Sequence, residues 1–490
     1  MHPLHALLSD RRTLKTLAAG CVALAAGGVV LLRAPRTSTA TPTQVAVSTT
    51  RAEARAPGAA PRVSFQGPHL HGSVALSQGR VVDGVSQVYA EVRVSADAAG
   101  ETEARPVAFA MVLDVSGSMS GEKIEQARRA VLDVLARMND NDQIALVTYS
   151  DSARLVQPLA RVGAVRQRLQ LVVPTLGIEG GTNIPAGLAA GVAALAEAPS
   201  THVHRVVLMS DGRDGSGRAL DQIAQDARVR ADGGVTLSSL GIGADYDEAF
   251  MARLADAGRG NYEFLRDGAQ LRAFLARELQ QSAQTRVDLA AVTLSLPQGW
   301  TLARAYGAEP TGDGAGIRLP VGALYAGEER RLVLDLRVDT AQARGAGDAL
   351  GALGARVTYR PAGRTDLVAL APAALPLARA ANPAEAQASR DAVVYAEAAS
   401  TALAARQADA VTAWRAGRTR EADGMIDGNL YALRALQAAA PSPGRAAQIA
   451  RYERERTAVN TLSGSSAEGV AWGLESNVMH RRAQRSTNAY

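Results

Sequence analysis

The feature that most constrains the fold is a run of apolar residues that ends in a carboxylate and two hydroxyls. Residues 107–113 read Val-Ala-Phe-Ala-Met-Val-Leu, and Asp114, Ser116 and Ser118 follow them. A continuous apolar run of this length is typical of a strand buried on both faces of a parallel sheet. A helical pattern of apolar residues begins soon afterwards, at Ile124. The three polar side chains are therefore predicted on a loop at the carboxyl end of a buried strand, where open α/β sheets bind ligands.

Two later loops are predicted at the same edge of the sheet. Thr182 lies in Gly-Gly-Thr-Asn-Ile, just before an apolar helical pattern, and Asp211 follows the apolar run Val-Val-Leu-Met of residues 206–209. Hydroxyl and carboxylate oxygens are ligands that hard divalent cations prefer, and this set carries too little negative charge to saturate one. The pattern therefore indicates a site for Mg²⁺, Mn²⁺ or Ca²⁺.

Asp114-x-Ser116-x-Ser118, with Thr182 and Asp211 later in the chain, resembles the metal-ion-dependent adhesion site of von Willebrand factor type A domains. The resemblance covers about residues 106–282. It implies one bound divalent cation, with Mg²⁺ favoured over Mn²⁺ or Ca²⁺. It also implies direct ligation by the two serines and the threonine, with the two aspartates acting through water. An open coordination position would accept an Asp or Glu carboxylate of a protein partner, so the expected function is metal-dependent adhesion or protein–protein binding rather than catalysis.

The same region alternates strand and helix patterns, which predicts a doubly wound, Rossmann-like α/β domain. The strand near 153–157 follows its neighbour too closely for a crossover helix, so it is predicted to be antiparallel. Strands are predicted near residues 107–113, 142–149, 153–157, 204–210, 235–241 and 261–265. Helices are predicted near residues 122–138, 162–172, 185–197, 218–232, 246–257 and 267–284.

The remaining segments predict a multidomain chain. Alternating apolar and polar residues occur on both sides of the α/β region, and neither piece reads as a complete sheet. We therefore expect one β-sandwich with the type A domain inserted in it, followed by an α-helical C-terminal region. The expected segments are a signal or anchor (1–40), a linker (41–62), the N-terminal piece of the sandwich (63–105), the type A domain (106–285), the C-terminal piece of the sandwich (286–372), helices (383–460) and a mostly disordered tail (461–490).

The first 40 residues are predicted to target or anchor the chain. Arg11, Arg12 and Lys15 precede an uncharged run, residues 16–32, of 17 residues. This length is at the short limit for a membrane span and is slightly long for the apolar part of a signal peptide. The pattern predicts a location in the cell envelope, the periplasm or outside the cell. The protein would be held by one N-terminal transmembrane segment or released after cleavage.

The composition of the chain excludes an intramolecular disulfide and argues against some classes of function. Cys21 is the only cysteine, so no intramolecular disulfide can form. The net charge is +5, but arginines are interleaved with acids and show no basic–aromatic stripe, so no nucleic-acid partner is expected. One alternative is a cytoplasmic accessory to an ATPase, which some type A domains are. A haloacid-dehalogenase-type phosphatase is disfavoured, because it needs an acid at the position of Ser116 and a lysine on a later loop.

Two histidine pairs could in principle bind a transition metal, but ordinary strand histidines are the favoured interpretation. His69 and His71, and likewise His202 and His204, share one face if their segments are extended. The second pair begins the strand that Asp211 ends, so it is expected some 20 Å or more from the predicted cation site, at about 3.3 Å per residue.

Overall fold

The computed structural model describes residues 49–52, 59–98, 104–243, 246–312, 316–343, 345 and 347–485. All of them belong to one compact unit, Thr41–Tyr490. The predicted signal or anchor, residues 1–40, lies outside the described residues.

The strands and helices are numbered in chain order. The strands are β1 Thr49–Ala52, β2 Arg62–Gly67, β3 Leu70–Leu76, β4 Arg80–Val81, β5 Val85–Ala96, β6 Val107–Asp114, β7 Gln143–Tyr149, β8 Ala153–Arg161, β9 Val203–Ser210, β10 Val235–Ile242, β11 Arg259–Leu265, β12 Thr285–Ser295, β13 Trp300–Tyr306, β14 Ile317–Tyr325, β15 Glu329–Asp339, β16 Ala349–Pro361, β17 Val368–Ala369 and β18 Ala373–Arg379. The helices are α1 Glu122–Arg137, α2 Val162–Val172, α3 Ile184–Ala194, α4 Leu220–Asp232, α5 Glu248–Ala257, α6 Gly268–Ala283, α7 Pro383–Ala388, α8 Ala392–Arg415, α9 Thr419–Ala439, α10 Pro443–Thr461 and α11 Ala467–Arg485.

An α/β domain with a Rossmann-like sheet occupies the middle of the chain. The sheet order is β11-β10-β9-β6-β7-β8, with β6 at the centre. Every residue of β6 is buried, as its unbroken apolar run predicts, because helices cover both faces of the sheet. The neighbouring pairs are parallel except β7 with β8, so the predicted antiparallel strand is confirmed.

A buried ion pair fastens the last helix of this domain, α6, to the sheet. Arg205 on β9 lies 3.1 Å from Glu278 on α6. The Glu278 carboxylate also accepts hydrogen bonds from Ser238 on β10 (2.6 Å) and Asn261 on β11 (2.9 Å). A buried carboxylate is tolerated when it is paired and fully hydrogen-bonded, as this one is. Three strands therefore position α6 through one side chain.

A β-rich region draws strands from both sides of the α/β domain. One six-stranded sheet has the order β1-β2-β3-β5-β15-β13, and another has the order β14-β12-β16-β18-β4, with β17 paired to β16. The strand β5, which precedes the α/β domain, pairs antiparallel with β15, which follows it, from Val85↔Asp339 to Ser95↔Glu329. Apolar side chains of both sheets form a single core.

Two predicted boundaries of this region need correction. The predicted linker, residues 41–62, contains β1, which pairs with β2. Edge strands are held by backbone hydrogen bonds and need no apolar pattern, which is why the sequence does not show this one. The C-terminal piece of the sandwich was predicted to end at residue 372, but β18 follows it. On β18, the alternate residues Ala373, Leu375 and Leu377 face the core of the β-rich region, although Pro376 weakens the strand pattern.

The C-terminal helices pack against both of the other regions. Small residues of α8 contact Tyr89 and Tyr306 of the β-rich region. The prediction of a mostly disordered tail at 461–490 is wrong for residues 467–485. They form α11, whose Leu474 and Val478 enter the core of the α/β domain.

Buried polar contacts account for some of the stability of α11. His480 is fully buried and lies 3.0 Å from Glu455 on α10. Burial alone would raise the pKa of Glu455, but the hydrogen bonds and charge of His480, with hydrogen bonds from Gln407 and Ser476, hold this pKa below its ordinary value. Such contacts come from separate helices, so no local periodicity in the tail reveals them.

The predicted location is corrected. Among the helices of the described residues, none has the length and apolar character needed to cross a bilayer. The segment 16–32, on which the prediction of an envelope, periplasmic or extracellular protein depended, lies outside the described residues. The transmembrane anchor is therefore not supported.

Candidate cation site

The loop after β6 begins with a carboxylate that its neighbours hold in place. Asp114 is fully buried. One carboxylate oxygen accepts a hydrogen bond from the backbone N–H of Ser116 (2.8 Å), and the other accepts from the hydroxyls of Ser210 (2.7 Å) and Tyr149 (3.3 Å). Burial raises the pKa of Asp114, although the hydrogen bonds of the two serines oppose this shift. The side chain is therefore anchored by residues of β7 and β9.

The two serines of this loop face each other at the start of α1. Their hydroxyl oxygens lie 3.1 Å apart, and the Ser118 hydroxyl donates a hydrogen bond of 2.7 Å to Oδ1 of Asp211. Ser116 is buried, whereas Ser118 is exposed. Gly121 precedes the helix with a φ of 77°, a conformation that glycine adopts without strain. The turn thus carries one hydroxyl inside the protein and one at its surface.

The second loop, residues 179–183, is tied to the first through its backbone. The N–H of Gly117 donates to the carbonyl of Gly180 (3.1 Å), and the N–H of Glu179 donates to the carbonyl of Val115 (2.7 Å). At Gly180 an added Cβ would lie 2.0 Å from a carboxylate oxygen of Asp151. A side chain there would therefore displace the loop that carries Thr182.

The third loop brings the set together. Asp211 is buried, and Lys123 on α1 contacts its Oδ2 atom. A Cβ added at Gly212 would lie 3.2 Å from the hydroxyl oxygen of Thr182 and 3.5 Å from that of Ser118. The hydroxyls of Thr182 and Ser118 therefore converge beside this glycine, where a side chain would crowd them.

The structure places all five predicted residues, Asp114, Ser116, Ser118, Thr182 and Asp211, at the carboxyl edge of the α/β sheet. The set contains three hydroxyls and two buried carboxylates. No group of three or more His, Cys, Asp or Glu residues among those that the structure describes is arranged to hold a metal ion. This donor set excludes a structural zinc site and fits a hard cation that retains water molecules.

Sequence reasoning missed the side chains that surround this set. Ser210 and Tyr149 orient Asp114, and Lys123 contacts Asp211. Tyr149 and Ser210 end two of the predicted strands, near residues 142–149 and 204–210, so the predicted strand ends contained a signal for them. Lys123 is one of the few lysines in the chain, which was a second available signal.

Among the described residues, neither histidine pair belongs to a cluster of three or more His, Cys, Asp or Glu side chains that could hold a metal ion. His71 is paired with Asp97 at 2.9 Å, whereas His69 has a φ of 64° and lies in the turn between β2 and β3. His204 contacts the carbonyl oxygen of Pro199 (3.0 Å), and burial lowers the pKa of His202. These observations agree with ordinary structural histidines.

Comparison with known proteins identifies the α/β domain. Residues 109–277 match the family model of the von Willebrand factor type A domain. The solved structure of a von Willebrand factor type A protein from Catenulispora acidiphila has a TM-score of 0.66 and 21% identity, covering 87% of this chain and 100% of that one. This likeness shows the fold: a type A domain with a further β-rich region and C-terminal helices.

Curated proteins also match part of the chain. The uncharacterized protein YfbK of Escherichia coli K12 is 30% identical over 182 residues, 35% of this chain and 30% of YfbK. Inter-alpha-trypsin inhibitor heavy chain H4 of Sus scrofa is 30% identical over 151 residues, 29% of this chain and 16% of the heavy chain. The matched region thus spans less than a third of either relative. Homologous type A domains are mostly non-enzymatic interaction modules, and many mediate metal-dependent protein–protein interactions.

Proposed function

We propose that the type A domain binds one divalent cation through Asp114, Ser116, Ser118, Thr182 and Asp211, and that this site captures a carboxylate of a protein partner. The observation that carries the proposal is the convergence of the hydroxyls of Ser118 and Thr182, from separate loops, beside Gly212. Mg²⁺ is the favoured ion because it binds oxygen ligands and keeps several waters; Mn²⁺ and Ca²⁺ are alternatives.

The hydroxyls are the proposed direct ligands. Ser118 is exposed and Thr182 is partly exposed, so both sit where a partner can reach them. Ser116 lies deeper, with its hydroxyl 3.1 Å from that of Ser118. Neutral oxygens leave most of the charge of the ion uncompensated. A bound cation would then supply a Lewis-acidic position for one oxygen of an Asp or Glu of the partner.

The two aspartates are proposed to act through water. Both oxygens of Asp114 already accept hydrogen bonds from Ser116, Ser210 and Tyr149, which fixes its orientation. One carboxylate oxygen of Asp211 accepts a hydrogen bond from Ser118, and the other contacts Lys123. Carboxylates held in this way orient the ligands of a metal and tune its affinity.

We further propose that the β-rich region is a sandwich in which the type A domain is inserted. Its support is the pairing of β5 with β15 and the apolar core that both sheets share. Residues Arg105 and Asp288, which flank the type A domain, form an ion pair of 2.6 Å at its base. Entry and exit of the inserted domain are thus close together, as insertion requires.

Partner capture tests the proposed function. The full chain is immobilised and exposed to an extract of its source organism, with Mg²⁺ or with chelator. We expect to capture proteins that bind only in the presence of Mg²⁺. The Thr182→Ala variant should capture about tenfold less of these proteins, or still less. Thr201→Ala, an exposed threonine at the opposite edge of the sheet, is the matched control and should bind like wild type. Equal capture of the same proteins in chelator would show that partner binding does not require the metal.

A further inference from the structure

One lysine, Lys123, lies at the candidate cation site. Lys123 is the second residue of α1, and its ammonium contacts Oδ2 of Asp211, whose side chain is fully buried. The ammonium also lies 3.4 Å from the backbone carbonyl oxygen of Ser118. The cationic side chain thus reaches two of the three loops that carry the proposed metal-binding residues.

The composition of the chain makes a lysine at this position informative. The chain has 53 lysines and arginines, and only Lys15 and Lys123 are lysines. Ion pairs elsewhere in the described residues use arginine or histidine, as between Arg205 and Glu278 and between His480 and Glu455. An ordinary ion pair would therefore be expected to use arginine here as well.

The two cations differ in how they bind a carboxylate. An arginine presents a planar fork that commonly engages both carboxylate oxygens, whereas a lysine ammonium is a compact point charge. At Asp211 the ammonium occupies Oδ2 and leaves Oδ1 to the hydroxyl of Ser118. A fork at this position would compete for Oδ1 and pull Asp211 away from the serine loop.

The side chain of Lys123 also passes close to a glycine, Gly243. A Cβ added at Gly243, on the loop after β10, would lie 3.3 Å from Cε and 3.6 Å from Nζ of Lys123. Gly243 has a φ of 75°, which favours glycine. The end of the lysine side chain therefore passes close to a residue that has no side chain, and Lys123 remains 30% exposed.

We propose that Lys123 is a built-in competitor of the divalent cation, which shares Asp211 with it and keeps the affinity of the site low. This inference rests on the proposed cation site. The charge of Lys123 offsets one of the two buried carboxylates, so a divalent ion meets repulsion from a neighbouring positive charge. A low intrinsic affinity leaves binding of the ion dependent on the negative charge that an acidic partner contributes. Lys123 thereby couples occupancy by the ion to capture of the partner.

Removing the charge should tighten metal binding, which is opposite to the loss caused by removing a ligand. The full chain is stripped of metal with chelator, dialysed and titrated with MgCl₂ in a calorimeter at constant ionic strength. Lys123→Met keeps the apolar stem, and Lys123→Gln keeps a polar end. Both are expected to bind Mg²⁺ at least about tenfold more tightly than wild type. Arg129→Met removes the same charge from an exposed position of the same helix and should stay within about twofold of wild type, because solvent and salt screen it.

Thermal unfolding provides the second readout. In chelator, both Lys123 variants should unfold at a lower temperature than wild type, because buried Asp211 loses its counter-charge. Saturating Mg²⁺ should raise their unfolding temperature by more than it raises that of wild type. If wild type and both Lys123 variants bind Mg²⁺ equally, the inference fails while the cation site stands. If none of the three binds Mg²⁺, Mn²⁺ or Ca²⁺, both the inference and the cation site fall.

Discussion

The α-carbon of Gly212 faces hydroxyls that come from two other loops. A methyl group there would lie 3.2 Å from the oxygen of Thr182 and 3.5 Å from that of Ser118, and its three nearest neighbours would be side-chain atoms. The glycine does not have a positive φ, so alanine can adopt its conformation. The residue therefore offers a way to crowd the proposed site without replacing a proposed ligand.

Gly212→Ala is expected to weaken Mg²⁺ binding by an amount on the order of tenfold or more, because its methyl group occupies space that the ion and its waters need. The unfolding temperature in chelator should remain that of wild type. Calorimetric titration and thermal unfolding of the full chain measure the two effects. Gly177→Ala is the matched control, since a Cβ there meets nothing within 4 Å. Wild-type affinity in Gly212→Ala would place the ion elsewhere.

Among the elements, the pair of β5 and β15 connects the segments on either side of the type A domain. These strands pair along almost their whole length, residues 85–95 of the first with residues 329–339 of the second. Leu334 of β15 is fully buried opposite Ala90 of β5. A single core of this kind predicts that the two segments unfold together.

Leu334→Ala should destabilise the β-rich region by about 2–5 kcal/mol, because it leaves a cavity in that core. Hydrogen exchange measured by mass spectrometry should then show faster exchange in peptides of β3 and β5 as well as in peptides of β12 and β16. Leu155→Ala, at a half-exposed position of β8, is the control and should leave these peptides unchanged. Faster exchange confined to residues after 285 would contradict the proposed inserted sandwich.

At the scale of the whole molecule, the sequence predicted what depends on local pattern. The unbroken apolar run of residues 107–113 and the strand endings at Asp114 and Asp211 were enough to predict the central strand and the edge that carries the candidate site. The antiparallel direction of β8 followed from the short connection before it. These signals are contained within single elements or in the spacing between them.

What the sequence did not show depends on contacts between distant segments. The helix α11 is held by core contacts of Leu474 and by the contact of His480 with Glu455, neither of which gives its own segment a clear pattern. The pairing of β1 and the contact of Lys123 with Asp211 are likewise tertiary. An apolar run such as residues 16–32 provides only a length and a hydropathy, which could not establish the location of the protein.

The most direct test of the proposed cation site is calorimetric titration of the metal-stripped full chain with MgCl₂, beside Asp211→Ala. One saturable site is predicted in wild type, because three loops at one edge of the sheet supply five oxygen-bearing side chains. Asp211→Ala should lose this binding while retaining the far-UV circular dichroism spectrum of wild type. The contradicting result is no binding of Mg²⁺, Mn²⁺ or Ca²⁺ up to millimolar concentration, with Asp211→Ala indistinguishable from wild type.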